Sequence, residues 1–427
     1  MRTSATGIVL DLTSQGATQI TVAAGAGPNT LRFTMPAPKY DARGNYPRAE
    51  GIVVKVSAVI ANDGEGDIDI PWDELFQIVQ SFRTYCPLLG TLHEPDVFTG
   101  PVAKHVIEYL SLGGRYYGNV LSGVAAAEAS QTVDLYFFLP FTQESFVDPL
   151  GFCPWVGWLT QLELSVTLGP STSLIVASAG ATVGNVTVSA WIQATPTKRL
   201  VLPSISQWRG YFPPAAGGSQ ALLQDVGAQG GLTCVSPGSR VVAILEMCEL
   251  LGLGGAAMAG DYTSFSMDQL SQPVTQNLDS FIAQYLALYG RTSGPRVFPG
   301  TLAVDSISGN PYTMNAIAND PAGAAAVSAR QMFWPWRVPG QLAEIGSQPK
   351  FQGNLTMFRT FTAAPTAGNF PIVTNEVRDL SEGSAVALLR TAGVDQGRIN
   401  GMKRDYFAGN PDSKASGFGI PITVPNR

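Results

Sequence analysis

The sequence predicts an all-β protein built as two similar halves. Three observations carry this. The 427 residues include 46 Gly and 30 Pro, both above their usual shares of about 7% and 5%, and frequent turns imply many short elements. Several runs alternate apolar and polar residues with the period of two that a half-buried strand requires. The order of elements then restarts after a proline- and glycine-rich break. The length suggests two or three domains.

Residues 1–30 are rich in Ala, Gly, Thr and Ser. They read as an N-terminal arm, with a short strand at "TQITV". "NTLRFTMP" and "GIVVKVSAVIAN" follow as strands, the second alternating around Val53, Lys55, Ser57 and Val59. "LFQIVQSFRTY" is a third. "TGPVAKHVIEYLSLGG" predicts a short helix, with Pro101 in its first turn, Lys104 and Glu108 four apart, and glycines to stop it. "VDLYFFLP", "QLELSVTLG" and "NVTVSAWIQATP" then read as strands. Thr195–Gln220 carries four prolines and a glycine pair and is read as the break between domains. Beyond it, "SRVVAILEMCELLG" predicts a long buried strand. "TQNLDSFIAQYLALYG" predicts a helix, with Leu278, Ile282, Tyr285 and Leu286 on one face and Gly290 as its stop. "RQMFWPWRVPG", "GNLTMFRTFTAAP" and "GSAVALLRTAG" complete a second set of strands. An offset of 199 aligns Ala125–Ala127 with Ala324–Ala326 and Pro140 with Pro339. The shared element order speaks for duplication more strongly than these cheap matches do.

Composition narrows the function. Charged residues are 14% against 45% hydrophobic, where about 25% charged is usual. A surface so poor in charge suits an assembly better than isolation in water. Net charge is −6, and with no basic run direct nucleic-acid binding is disfavoured. The most apolar candidate span, from Ala243, carries Glu246 and Glu249 and many glycines, so no transmembrane helix is expected. The first residues lack the apolar core of a signal peptide. Cys86, Cys153, Cys234 and Cys248 are widely spaced and read as buried free thiols.

No pattern builds an active site. His105 falls inside the first predicted helix, and His93, in "TLHEPD", reads as a loop residue. There is no GxSxG, HExxH or P-loop for either to serve. "GLGGAA" at Gly252 fits a dinucleotide fingerprint in letters, but no helical pattern opens after it, so it reads as a flexible loop. Asp63, Glu65, Asp67, Asp69 and Glu74 approach calcium-loop spacing, yet Ile68 stands where the sharp turn needs glycine. The expected reading there is a solvated acidic loop. Asn185 and Asn354 are sequons inside predicted strands and carry no glycosylation argument. No catalytic residue, metal site or cofactor is expected.

One stretch points further. A hydrophobic strand ends in Phe138-Leu139-Pro140-Phe141, a loop with more prolines and aromatics includes Pro154, and an alternating strand follows at Leu162-Glu163-Leu164-Ser165-Val166. This resembles a signature of the double jelly-roll major capsid proteins of tailless icosahedral viruses, including internal-membrane bacteriophages and adenovirus-like viruses. "GIVVKVSAVIAND…LFQIVQSF" looks like the opening strand pair of the first roll, and "VSAWIQATPTKRLVLP" like its last strand and exit. The resemblance covers much of 45–210 and only loosely the second half, with extra loop expected at 290–325.

It implies two consecutive eight-stranded jelly rolls, each with a short helix, after an N-terminal arm. The arm is placed at 1–30, the first roll at 31–205 and the second at 206–427. The aromatic strand is expected between the two sheets of the first roll, its alternate side chains reaching both faces of a wide core. The implied role is a structural one: homotrimers with a six-sided outline that build the shell of a virion assembled in the host cytoplasm. The implied partners are copies of itself, neighbouring capsomers and minor capsid or vertex proteins, with an internal viral membrane as a further candidate. The competing readings are a phage tail or spike β-sandwich and a double jelly-roll glycan amidase.

Overall fold

The structure is a computed structural model that describes residues 8–35, 47–62, 75–95, 98–100, 103, 130–141, 153–174 and 181–195 in the first half. In the second half it describes 204–211, 227–228, 232–234, 239–247, 262–269, 272–277, 302–304, 311–313, 331–335, 355–361, 372–379, 382–391 and 394–402. Among the described residues the first half holds nine strands: β1 (Ile8–Asp11), β2 (Gln19–Ala23), β3 (Asn29–Thr34), β4 (Arg48–Asn62), β5 (Val79–Cys86), β6 (Gly90–His93), β7 (Ser130–Pro140), β8 (Glu163–Leu168) and β9 (Ala181–Thr195). The second holds β10 (Ser204–Tyr211), β11 (Gly227–Ala228), β12 (Leu232–Cys234), β13 (Ser239–Met247), β14 (Tyr262–Gln269), β15 (Gln272–Asn277), β16 (Leu302–Val304), β17 (Pro311–Thr313), β18 (Gln331–Pro335), β19 (Leu355–Phe361) and β20 (Ile372–Asp379). Helices α1 (Glu382–Thr391) and α2 (Gln396–Met402) follow.

The strand order repeats. In the first half one sheet runs β1-β9-β4-β7, with β2 also paired to β9, and the other runs β3-β8-β5-β6. Counting β1 and β2 as one position gives eight positions, arranged 1-8-3-6 and 2-7-4-5. In the second half β10-β20-β13-β18 and β19-β14-β15, with β11 and β12 both on β19, give the same two orders. Two sheets of four positions wound in this way form a jelly roll, and the chain contains it twice. The hairpin β16–β17 lies apart from both rolls, inside the extra loop expected at 290–325.

The core of the first roll follows from alternation. Ile52, Val54, Val56, Ala58 and Ile60 of β4 are buried, and the residues between them are half-buried. Val186, Val188, Ala190 and Ile192 of β9 face the same way. On β7, Val133, Leu135, Phe137 and Leu139 point inward. Phe137 meets Phe82 of the opposite sheet at 5.0 Å and Phe76, in the turn before β5, at 5.5 Å. These edge-on and tilted contacts suit aromatic quadrupoles. The expectation that both faces of β7 reach a core is corrected: Tyr136 is exposed and Phe138 half-buried on the outer face. β7 is the edge of its sheet, where the missing N–H of Pro140 costs little.

Several other expectations change. Ile8–Asp11 and Gln19–Ala23, inside the expected arm, pair with β9 and fill the first strand position of the roll. The alternation of "QITVA" fits this edge, and Thr21 and Thr187 share a side-chain hydrogen bond of 2.8 Å across it. The break after Thr195 contains β10, hidden in the sequence by its proline-rich surroundings. The 205/206 division falls within this strand. β14 and β20 are strands that the alternation pattern does not announce. The first predicted helix lies outside the described residues except at its start, where the Ala103 N–H donates to Thr99 O at 2.9 Å. The second begins within β15 at Thr275–Asn277, and its remainder lies outside the described residues, as do Asp63–Glu74, Gly252–Ala257, His105 and Asn354.

"GSAVALLRTAG", grouped with the strands, is instead helix α1. Ala385, Val386, Leu388 and Leu389 are buried at helical spacing, and Ala and Leu are strong helix formers. Asp395 caps α2, accepting from the Arg398 N–H at 2.9 Å. No described helix is long and apolar enough to cross a membrane.

Cys86 and Cys153 are buried free thiols. The Cys86 Sγ–H donates to Trp158 O at 3.0 Å, and burial pushes this thiol up. Titration after denaturation without reductant is expected to find four reactive thiols per chain, and fewer would reveal a disulfide.

Candidate assembly surface

The outer face of the sheet β1-β9-β4-β7 carries a row of large apolar side chains. Register places Phe138, Val53 and Trp191 in one row across β7, β4 and β9. All three are half-buried, and Tyr136 and Val9 nearby are 37% and 59% exposed. The Phe138 ring lies over Gly51, where a Cβ would come within 2.7 Å of it. Glycine is therefore required if this aromatic is to lie flat on the sheet.

Beside the row stands one polar group. Lys55 Nζ lies 2.9 Å from Asp134 Oδ2 and 5.6 Å from the centre of the Tyr136 ring, and Ser57 donates to Asp134. The Ser57 hydrogen bond, with help from Lys55, holds the Asp134 carboxyl below its ordinary range, and Asp134 in turn raises the Lys55 ammonium. The pair is partly solvated and contributes little stability. Its effect is to keep both charges neutralised beside the apolar row.

A second constellation joins the halves. β10 pairs with β20 along its whole length, from Ser204↔Asp379 to Tyr211↔Ile372, and meets β6 of the first roll in parallel at Trp208↔His93. This joins β18-β13-β20-β10 and β6-β5-β8-β3 into one sheet. Pro140 O accepts from both Trp208 Nε1–H and His93 Nε2–H at 2.8 Å. Phe98 packs on His93 at 4.7 Å and on Trp208 at 5.8 Å. Outside this knot Arg209 lies 3.3 Å from Glu94 and 4.0 Å from the buried Glu376, and Glu94 also accepts from the Gly210 N–H. His93, read as a loop residue, is thus a buried strand-end residue.

A third tie comes from the C-terminus. Trp158 stacks on Trp155 at 4.7 Å, and its Nε1–H donates to Leu388 O at 2.7 Å. That carbonyl lies in the last turn of α1, where helix acceptors lack partners of their own.

These ties leave no local signal: Trp208 and Arg209 sit in a stretch that looks like linker, and the hydrogen-bond acceptor of Trp158 Nε1 lies 230 residues away. Among the described residues no group of His, Cys, Asp or Glu is placed to hold a metal.

The two-fold repeat of one strand order makes this a double jelly roll. Comparison with solved structures agrees. The chain is similar to the major capsid protein of Sulfolobus Turreted Icosahedral Virus in its crystal structure, with a TM-score of 0.50 at 12% identity, over 87% of this chain and 96% of that one. A chain in the atomic structure of the whole virus gives 0.52 at 14% identity, over 92% and 99%. The chain therefore has the fold of double jelly-roll major capsid proteins. No protein-family model and no curated protein sequence matches it.

Proposed function

We propose that the protein is the major capsid protein of a tailless icosahedral virus, with a structural and not an enzymatic role. The observation that carries this is the nearly complete mutual coverage with the turreted-virus chain: 92% of one and 99% of the other. A likeness confined to one roll would fit any β-sandwich, whereas two rolls in the same order fit one architecture. In this reading the rolls divide where 31–205 meets 206–427, within the first residues of β10. Three chains then supply six rolls and a six-sided capsomer. Cyclic closure makes the contact heterologous, one flank of each chain meeting the opposite flank of the next. Such obligate contacts are large and apolar, which accounts for the low charge of 14%.

Further partners are neighbouring capsomers and minor vertex proteins, with an internal membrane as a candidate inner layer. The acidic balance suits a shell that does not grip the genome, and assembly in the host cytoplasm before residence in the virion completes the proposal. Negative-stain electron microscopy of the purified protein is expected to show six-sided particles. Elongated spikes would instead support the tail or spike reading.

A further inference from the structure

The seam between the rolls holds a buried histidine whose second nitrogen has no hydrogen-bond partner among the described residues. His93 is 0% exposed. Its Nε2–H is committed to Pro140 O, an acceptor it shares with Trp208. Its Nδ1 has no hydrogen-bond partner among the described residues. Thr84, directly opposite on β5, is also buried with an unpartnered Oγ1. The rest of the surroundings is aromatic: Phe98, Phe141 and Trp208.

The neighbouring charges are already engaged. Glu94, next in the chain, is held by Arg209 of β10 and the Gly210 N–H. Glu376 of β20 accepts from Thr374 and faces Arg209. Cys86 of β5 donates to Trp158 O. Arg83 and Tyr85 of β5 lie on its exposed face, and Asp134 of β7 is on the outer face with Lys55. A proton arriving on Nδ1 would thus create a buried cation with no free carboxylate beside it among the described residues, which is strongly unfavourable.

The seam is also the narrowest line in the long sheet. β6 and β10 register only at Trp208↔His93, backed by the Glu94 N–H to Trp208 O at 3.3 Å. β10–β20 and β5–β8 are paired along most of their length. Separating β6 from β10 lets water reach His93 while both rolls keep their sheets.

We propose that His93 makes the β6–β10 seam an acid-release joint: protonating its ring separates β6 from β10 without unfolding either jelly roll. This rests on the seam's geometry and stands apart from the capsid reading. Burial lowers the ring's affinity for protons from 6.5 to about 4. The closed seam is therefore fully favoured above 6.5 and loses that advantage as pH falls towards 4. Between pH 7 and pH 5 the open fraction is expected to rise about twenty-fold.

Hydrogen exchange followed by mass spectrometry on the full chain tests this, with intrinsic rates corrected for pH. Peptides covering 89–95 and 204–211 are expected to exchange about twenty-fold faster at pH 5 than at pH 7, relative to β4. His93→Gln, which keeps a donor for Pro140 O but does not titrate here, should abolish the rise. His105→Gln should retain it. His93→Phe, an apolar ring of similar size, replaces the Gln variant if that one folds poorly. A seam with no such rise, the same rise in the His93 variant, its loss in His105→Gln, or equal acceleration of β4 would overturn the proposal.

Discussion

Replacing Phe137 with alanine is expected to destabilise the protein by about 3–5 kcal/mol, the usual cost of emptying a packed aromatic site. Phe137 is 0% exposed and bridges the two sheets of the first roll through Phe76 and Phe82. The adjacent Phe138 provides the control. It lies half-buried on the opposite face, so Phe138→Ala is expected to cost about 1 kcal/mol in the isolated chain. Urea unfolding of the two variants measures both. Equal effects would mean that the outer face is as buried as the core.

The second large effect belongs to Trp158. Trp158→Ala removes a side chain 1% exposed, its stack on Trp155 and the hydrogen bond to Leu388 O. A loss of about 3–5 kcal/mol is expected. Trp158→Phe isolates the hydrogen bond, at about 1 kcal/mol. It should also release α1, seen as earlier proteolytic cleavage within 382–391 while β4 stays protected. If cleavage of α1 is unchanged in both variants, the helix is held by other contacts and the tie matters little.

Much of the fold was legible because strand alternation is written locally. Val53, Lys55, Ser57 and Val59 announced β4, and the Leu-Pro-Phe run announced the end of β7. The role of each face was less legible. Phe137 and Phe138 look alike in sequence, and only the partner sheet decides which is buried. The seam was hidden for a different reason. Trp208 lies among prolines and glycines that signal a linker, and its partners His93 and Pro140 are over sixty residues away. The same holds for α1, whose "AVALL" fits a buried strand or a helix and was settled by packing against Trp158.

Alternation alone reads the repeat of strand order only as two similar halves, and the double jelly roll enters the sequence reading through the resemblance carried by Phe138–Phe141, Pro154 and Leu162–Val166. Its topological content, 1-8-3-6 facing 2-7-4-5 in each half, depends on pairings between residues as distant as Ile8 and Ala194. That content separates a double jelly roll from two unrelated sandwiches, and it makes a six-sided trimer the economical assembly.

Light scattering coupled to size-exclusion chromatography at neutral pH tests this assembly most directly. The account predicts a single species of three times the 45.1 kDa chain mass, persisting on dilution to micromolar concentration. A folded monomer at that concentration would contradict it.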